Sequence, residues 1–288
     1  MQPAPRIPAD PLAALMPLPG VEEAVASART AVDGLLSHRV LRRGSAEVTA
    51  ESALRGARAS AELEGAGIEL ERLRGQLMGG GTVTLPSKDE RGPLVVQGAV
   101  RLHADLGQLL VPWRHSPRQA LARLHVLAAA DLVGDPDALG RPRSAGVVPE
   151  DPVGLGPAPE PVEVAARLDG LARVLTAGTS APAVVVAAVV HGELMALRAF
   201  GVADGLVARA AARLVLVDRG LDPKAVSAPE VGHLELGDGH GHGEYADALR
   251  AYVSGRPAGV ATWLVHCARA VALGAREGLA VCEAIRRR

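Results

Sequence analysis

Apolar residues recur at helical spacing along most of the chain, and this pattern predicts a protein built from α-helices. The first such segment starts at Val21 and repeats its apolar positions through Val25, Val32 and Leu35. Similar segments follow at residues 45–65, 68–77, 93–110, 116–132, 162–175, 182–198, 205–218, 245–253, 260–273 and 276–287. Because residues 182–198 are apolar on every face, they predict a helix buried at the centre of a domain.

Stretches rich in glycine and proline interrupt the helical pattern and suggest how the chain is divided. The clearest loops are residues 78–92, with three consecutive glycines, and residues 139–161. We expect an N-terminal arm and first helix at 1–44, a large helical domain at 45–275, and a C-terminal helix with a basic tail at 276–288.

Composition narrows the class of protein without defining a function. A chain of 288 residues that is 48% hydrophobic can bury a substantial core, and with only 2% aromatic residues that core must be filled by Ala, Leu and Val. The net charge of −1 gives no strong attraction to nucleic acid or to a membrane surface. The longest apolar run, residues 181–190, is shorter than the roughly 20 residues that span a bilayer. Together with two cysteines in no metal or disulfide pattern, these features favour a cytoplasmic protein with neither kind of partner.

Residues 191–213 hold the most informative candidate chemistry, because one apolar helix ends there and another begins after a glycine-containing turn. A helix N-terminus at Asp204-Gly205 offers free N–H groups that suit a phosphate. The β-branched Val207 opposes the close approach of such a group. Arg198 retains its proton and cannot act as a general base, although it can bind an anion. His191, about 10.5 Å below Arg198 along the helix, is too far away to replace a base there.

This stretch resembles the active-site region of the Fic (Fido) family, whose pattern is His-Pro-Phe, an acidic residue, Gly-Asn-Gly-Arg, and a further arginine three residues on. The matching positions here are Arg198, Ala199 and Phe200, then, after two extra residues, Asp204, Gly205, Leu206 and Val207, with Arg209 and Arg213 as the nearest arginines. The resemblance implies an all-α bundle and the transfer of AMP from ATP to protein hydroxyl groups. In the family the histidine is the general base, so Arg198 implies that this activity is impaired.

Two further segments resemble Fic features. Residues 60–65, with Ser60, Glu64 and Gly65, resemble the inhibitory segment whose glutamate pairs with the second motif arginine and blocks placement of the ATP γ-phosphate. The resemblance implies that Glu64 pairs with Arg209 or Arg213. Residues 139–161 occupy the place of a small β-hairpin flap that aligns the target peptide by strand addition, and the positions that match it are Arg143, Val147 and Val148. Without the resemblance, the same residues indicate a mobile surface loop.

The resemblance implies ATP and Mg²⁺ as cofactors, with Asp204 holding the metal and Gly205, Arg209 and Arg213 the nucleotide. A helix N-cap is the alternative role of Asp204.

Three hypotheses for the function follow from these features. The first is a diverged Fic-fold protein with little or no adenylyl transfer that binds a nucleotide, an anion or a protein. The second is an active transferase of AMP or another phosphate group, inhibited by Glu64. The third is a non-enzymatic scaffold that binds a peptide through the flap.

A separate group of metal-binding residue types lies further along the chain. Three histidines and three carboxylates fall within residues 233–244, namely His233, Glu235, Asp238, His240, His242 and Glu244. These side chains suit zinc, nickel or manganese. No fixed ligand spacing is met, however, and alternating glycines make ordering costly. We expect a solvated loop between helices.

Overall fold

The computed structural model describes residues 10–80, 82–85, 90–236 and 243–287, and the elements in these residues are helical. No residue in these ranges is in a β-strand, so the prediction of an all-α fold is confirmed. The α-helices are α1 Val21–Leu36, α2 Ser45–Glu62, α3 Leu70–Met78, α4 Arg91–Asp105, α5 Leu110–His115, α6 Pro117–Ala129, α7 Pro161–Ala177, α8 Ala183–Leu197, α9 Asp204–Asp218, α10 Pro229–Leu236, α11 Gly243–Val253 and α12 Pro257–Arg286.

Helix α8 is the central element, as its sequence predicts. Nearly all of its residues are buried, and it packs against α9, α11 and α12. Its small residues let large neighbours approach: a Cβ on Gly192 would lie 2.7 Å from the ring of Tyr252 and 2.8 Å from the indole nitrogen of Trp263. Trp263 donates its N–H to the Ala188 carbonyl at 2.8 Å. The centre of the bundle is therefore held by close packing and by a buried hydrogen bond.

The C-terminal part of the chain differs from the sequence-based expectation. Residues 260–273 and 276–287 were expected to form two helices, but α12 runs unbroken across Gly274. The glycine makes room for a crossing segment, because a Cβ there would lie 2.5 Å from the backbone of Ala228. Ala228 donates its N–H to the Gly274 carbonyl at 3.1 Å. Gly274 therefore permits a backbone crossing and does not end a helix.

The N-terminal region and α10 also differ from expectation. Helix α1 packs along α12, and its residues Val21 and Val32 are fully buried in the common core. Residues 21–44 are thus part of the bundle. Helix α10 lies where a polar loop was expected; it is short, but most of its side chains are buried against α2 and α12.

Residues 139–161 do not form the expected β-hairpin. They form an irregular segment, which we call the flap segment, with one short 3-10 turn just before it at Pro136–Ala138. Prolines at 142, 149, 152, 157 and 159 remove the N–H groups that a hairpin ladder requires. Isolated backbone hydrogen bonds attach the segment to the turn after α8 instead. Arg143 N–H donates to the Ala199 carbonyl at 2.8 Å, and Glu150 N–H donates to the Gly201 carbonyl at 2.9 Å.

One described helix, α12, is long and apolar enough to cross a membrane by length and composition. Two thirds of its most apolar stretch is buried inside the bundle (67%). This is the property of a core helix.

Candidate functional site

The turn between α8 and α9 has a strained backbone that is held by one buried carboxylate. Arg198 and Ala203 both adopt left-handed conformations, with φ of 43° and 57°, which non-glycine residues adopt at a cost. Asp204 fixes the turn by accepting N–H bonds from Phe200 at 3.0 Å and from Gly201 at 2.7 Å. Both carboxylate oxygens therefore accept from the turn that precedes α9. The N-cap alternative for Asp204 is wrong, because Asp204 is the first residue of the helix, the N-cap position is Ala203, and no side chain caps it. Burial raises the pKa of Asp204 to about 7, despite these two bonds.

Arg198, at the expected base position, is buried and held by the flap segment. Its Nη1 lies 3.1 Å from Oδ2 of Asp151, and its Nη2 donates to the Gly156 carbonyl at 2.7 Å. In return, Arg143 Nε donates to the Arg198 carbonyl at 3.0 Å. The sequence predicted a cation without base function, and here that cation binds a carboxylate of its own chain. Arg198 thus fastens the flap segment over the turn.

Glu64 and Arg209 form a buried ion pair beside the start of α9. Nη2 of Arg209 lies 2.6 Å from Oε1 of Glu64. Ser60 fixes the same guanidinium, since Arg209 Nε donates to its hydroxyl at 2.8 Å and Nη2 donates to its carbonyl at 3.0 Å. A Cβ on Gly205 would lie 1.9 Å from Oε1 of Glu64. The glutamate therefore occupies the space above Gly205, next to the positive end of the helix, where an external anion would bind.

Arg213, the other arginine expected at the nucleotide, lies in a separate buried cluster. Its Nη1 is 3.0 Å from Oε2 of Glu230, and its Nη2 donates to the Ser52 hydroxyl at 2.7 Å. His103 Nε2 lies 3.2 Å from the other oxygen of Glu230. Although burial opposes it, Arg213 and His103 lower the pKa of Glu230 to about 2. Arg213 thus joins α2, α9 and α10 and does not face the Glu64 carboxylate.

A cavity of about 350 Å³ opens between the start of α9, α4 and the flap segment; we call it the cleft. Its lining residues are Glu64, Arg91, Val95, Leu132, Glu150, Asp151, Pro152, Ala203 and Leu206. Burial raises the pKa of Glu150, and the neighbouring Glu64 adds to the rise.

The three carboxylates that line the cleft are each paired with an arginine. In the described residues the pairs are Glu64 with Arg209, Asp151 with Arg198, and Glu150 with Arg91. The cleft therefore offers no uncompensated cation from these pairs to an incoming phosphate.

The structure brings together some of the predicted site residues and separates others. Ser60, Glu64, Gly205 and Arg209 meet at one point, whereas Val147 and Val148 lie on the flap segment with exposed fractions of 47% and 89%. Gly65, with φ of 83°, lies in the turn that directly follows α2. No pattern in the sequence points to Asp151, because its role depends on a contact with Arg198, which is 47 positions away in the chain (198 − 151).

The expected loop of metal-binding residue types is not a single unit. Residues 237–242, including Asp238, His240 and His242, lie outside the described residues. His233 is buried in α10 and faces the core, where it stacks on His266. Glu244 lies at the start of α11, near Arg269 and His266.

Comparison with solved structures identifies the fold. The chain is similar to a Fic family protein from Desulfovibrio desulfuricans G20, with a TM-score of 0.72 and 19% identity over 91% of this chain and 75% of that one. It is also similar to Fic-1 (residues 134–508) from C. elegans, with a TM-score of 0.66 and 17% identity over 92% of this chain and 73% of that one. No protein-family model matches the sequence, and no curated protein matches it significantly. The helical bundle is thus a Fic fold, as the sequence resemblance predicted.

Proposed function

We propose that this protein is a diverged Fic-fold protein that has lost or greatly reduced adenylyl transfer and acts by binding a protein partner at the cleft and the flap segment. The observation that carries the proposal is that Arg198, which the resemblance aligns with the general base, is a buried cation held by Asp151. A guanidinium keeps its proton, so it cannot accept one from a target hydroxyl.

The Glu64–Arg209 pair also supports a revised alignment with the family pattern. If Arg209 is the second motif arginine, the pattern fits from Arg198 onward with no inserted residues. Val202 then stands at the acidic position, Ala203 at the first glycine, Asp204 at the asparagine and Leu206 at the first arginine. The left-handed backbone at Ala203 is consistent with a glycine position. In this register the chain lacks the acidic metal ligand and one phosphate-binding arginine.

The electrostatics of the cleft favour a partner over ATP. A triphosphate would have to displace Glu64 from Arg209 or another carboxylate from its arginine, and the displaced carboxylate would lose its partner beside the added negative charge. Val147 and Val148 are exposed beside the cleft and offer apolar contact area to a protein. In this proposal ATP and Mg²⁺ are not cofactors of the protein.

A second candidate function is an active transferase that is autoinhibited. The observation that favours it is the retained arrangement of Ser60, Glu64 and Arg209, in which the resemblance assigns an inhibitory role to the glutamate. Releasing Glu64 would then free Arg209 for a nucleotide phosphate, and ATP with Mg²⁺ would be the substrate and cofactor.

Incubation with labelled ATP and Mg²⁺ separates the two functions. The wild type is compared with Glu64→Gly and with Glu62→Gly, a matched control because Glu62 pairs with Arg58 and not with Arg209. We expect no labelling of the protein itself or of lysate proteins by any variant, and no increase in melting temperature with ATP and Mg²⁺. Strong labelling by Glu64→Gly alone would overturn our proposal and establish the autoinhibited transferase.

A further inference from the structure

We propose that the core of this protein binds one divalent cation of the zinc class through His191, His233 and Cys267. These residues come from α8, α10 and α12, and each is at least 95% buried. One ligand atom from each side chain lies within 4.8 Å of the other two. The inference is independent of the proposed function, because none of the three residues lines the cleft.

The donor set matches the chemistry of zinc. Two imidazoles and a thiolate are ligands that zinc prefers, and catalytic or open zinc sites use three protein ligands and leave a fourth position to water. A cavity of about 20 Å³ lies among the three side chains, which is enough for one water-sized species. Ligand atoms of a tetrahedral zinc site lie roughly 3.5 Å apart, so atoms that now lie up to 4.8 Å apart must approach by up to about 1.3 Å (4.8 − 3.5).

Neighbouring side chains already orient both imidazoles. His191 Nε2 lies 2.9 Å from the Tyr245 hydroxyl, and His233 Nδ1 lies 3.1 Å from His266 Nε2. His266 Nδ1 in turn lies 3.4 Å from Oε1 of Glu244. These contacts leave Nδ1 of His191 and Nε2 of His233 for a metal. Ligating histidines usually have their second nitrogen fixed in this way, often by a carboxylate at the end of the chain of bonds.

The protons and charges balance when the cation binds. The Cys267 thiol releases its proton to solvent, and its sulfur bonds to the metal as a thiolate, while the two imidazoles bind in their neutral form. His191 then carries its single proton on Nε2 and donates it to the Tyr245 oxygen. The bound unit has a net charge of +1. Two arginines line the same small cavity, and each is already paired with a carboxylate: Arg209 with Glu64 and Arg213 with Glu230.

Metal titration of the full-length chain tests this site directly. Protein treated with a chelator is titrated with Co²⁺, whose bond to a thiolate gives a charge-transfer absorption band, and Zn²⁺ is then added in competition. We expect one equivalent of Co²⁺ with this band, displaced by Zn²⁺. Cys267→Ser should lose the band and bind at least about tenfold more weakly, whereas Cys282→Ser should keep it, because Cys282 is a buried cysteine outside the cluster.

Two further variants keep the test decisive. His266→Gln should weaken Co²⁺ binding by about 10- to 100-fold but retain the band, because His266 positions His233 and is not a ligand. Replacing both His240 and His242 with alanine should change nothing, which separates the core from the adjacent histidine-rich segment. Should Cys267→Ser fail to fold, a rise in the wild-type melting temperature with Zn²⁺ that is absent in His233→Gln decides the question. Wild type without stoichiometric binding, a band that persists in Cys267→Ser, or a band lost in the His240/His242 variant would each overturn the proposal.

Discussion

Replacing Gly205 with alanine should change the stability of the protein in opposite directions, depending on whether Glu64 is present. In the wild type a Cβ at this position would lie 1.9 Å from Oε1 of Glu64, which is far inside van der Waals contact. The carboxylate must then leave Arg209 and lose their bond of 2.6 Å. A hydrogen bond between charged groups contributes about 1.5–3 kcal/mol. Alanine recovers about 0.5–1 kcal/mol of helix propensity, so the net loss should be about 1–2 kcal/mol.

In a Glu64→Ala background the clash with the carboxylate is absent. The added Cβ then lies 3.1 Å from Nη1 of Arg209, at the end of a long side chain, and the gain in helix propensity remains. Gly205→Ala should then stabilise the protein by up to about 0.5–1 kcal/mol. Urea unfolding of the four proteins in this cycle measures both effects and the coupling energy between the two positions. The reasoning is refuted if Gly205→Ala has the same sign and size in both backgrounds. That result would mean that Glu64 does not lie over the start of α9.

Three other changes test the buried charges and the packing. Folding raises the pKa of Asp204 from 3.8 to about 7, so the folded protein favours the protonated carboxyl group. The free energy of unfolding should therefore fall by about 4 kcal/mol as pH rises from about 4 to 7. Asp204→Asn should remove this part of the pH profile. Arg213→Met should lower the free energy of unfolding by about 3–5 kcal/mol, because Glu230 is then buried without its main partner. A double variant with Glu230→Met should lose less stability, and chemical denaturation measures both. Gly274→Ala should cost about 1–3 kcal/mol, because its Cβ meets the Ala228 backbone at 2.5 Å, whereas Gly170→Ala, with no atom within 4 Å, should be neutral or stabilising by calorimetry.

The sequence predicts those parts of the fold that depend on local pattern. Helices such as α1, α8 and α9 have enough turns for a helical period to show, and their observed bounds agree with prediction to within one or two residues. Helix α10 has only eight residues, and burial on most sides leaves no period to detect. By helix propensity alone, Gly274 predicts a helix break. The structure requires a glycine there because Ala228, 46 positions away in the chain (274 − 228), crosses the helix at that point, and no local pattern contains this contact.

In the candidate site, too, local pattern predicts some features, whereas others depend on contacts between distant parts of the chain. The pairing of Glu64 with one of two arginines follows from the family pattern, but the choice of Arg209 over Arg213 depends on where Glu230 lies. Arg198 is a permanent cation from its chemistry alone, whereas its ion pair with Asp151 depends on the path of the flap segment. Spacing in the sequence also places His233 with His240 and His242, yet the fold turns it toward His191 and Cys267.

One hydrogen-bonded path connects the cleft to the buried histidines, and Tyr245 is its central member. Arg209 donates to the Tyr245 hydroxyl at 3.3 Å and to Glu64 at 2.6 Å, while the same hydroxyl lies 2.9 Å from His191. Without a metal, Tyr245 can donate to His191 and accept from Arg209. With a cation on Nδ1 of His191, the imidazole must donate, so Tyr245 accepts two N–H bonds and its own proton needs another acceptor.

Tyr245→Phe should therefore affect both ends of this path. We expect a loss of about 1–3 kcal/mol in unfolding free energy, because a buried donor on Arg209 and the buried Nε2 of His191 lose their partner. We also expect roughly tenfold weaker Co²⁺ binding, because His191 is no longer oriented. Tyr252→Phe is the matched control: its hydroxyl donates to Glu193 at 2.9 Å, away from the three proposed ligands, so Co²⁺ affinity should not change. Equal Co²⁺ affinities in the wild type and Tyr245→Phe would show that the cleft and the histidine cluster act independently.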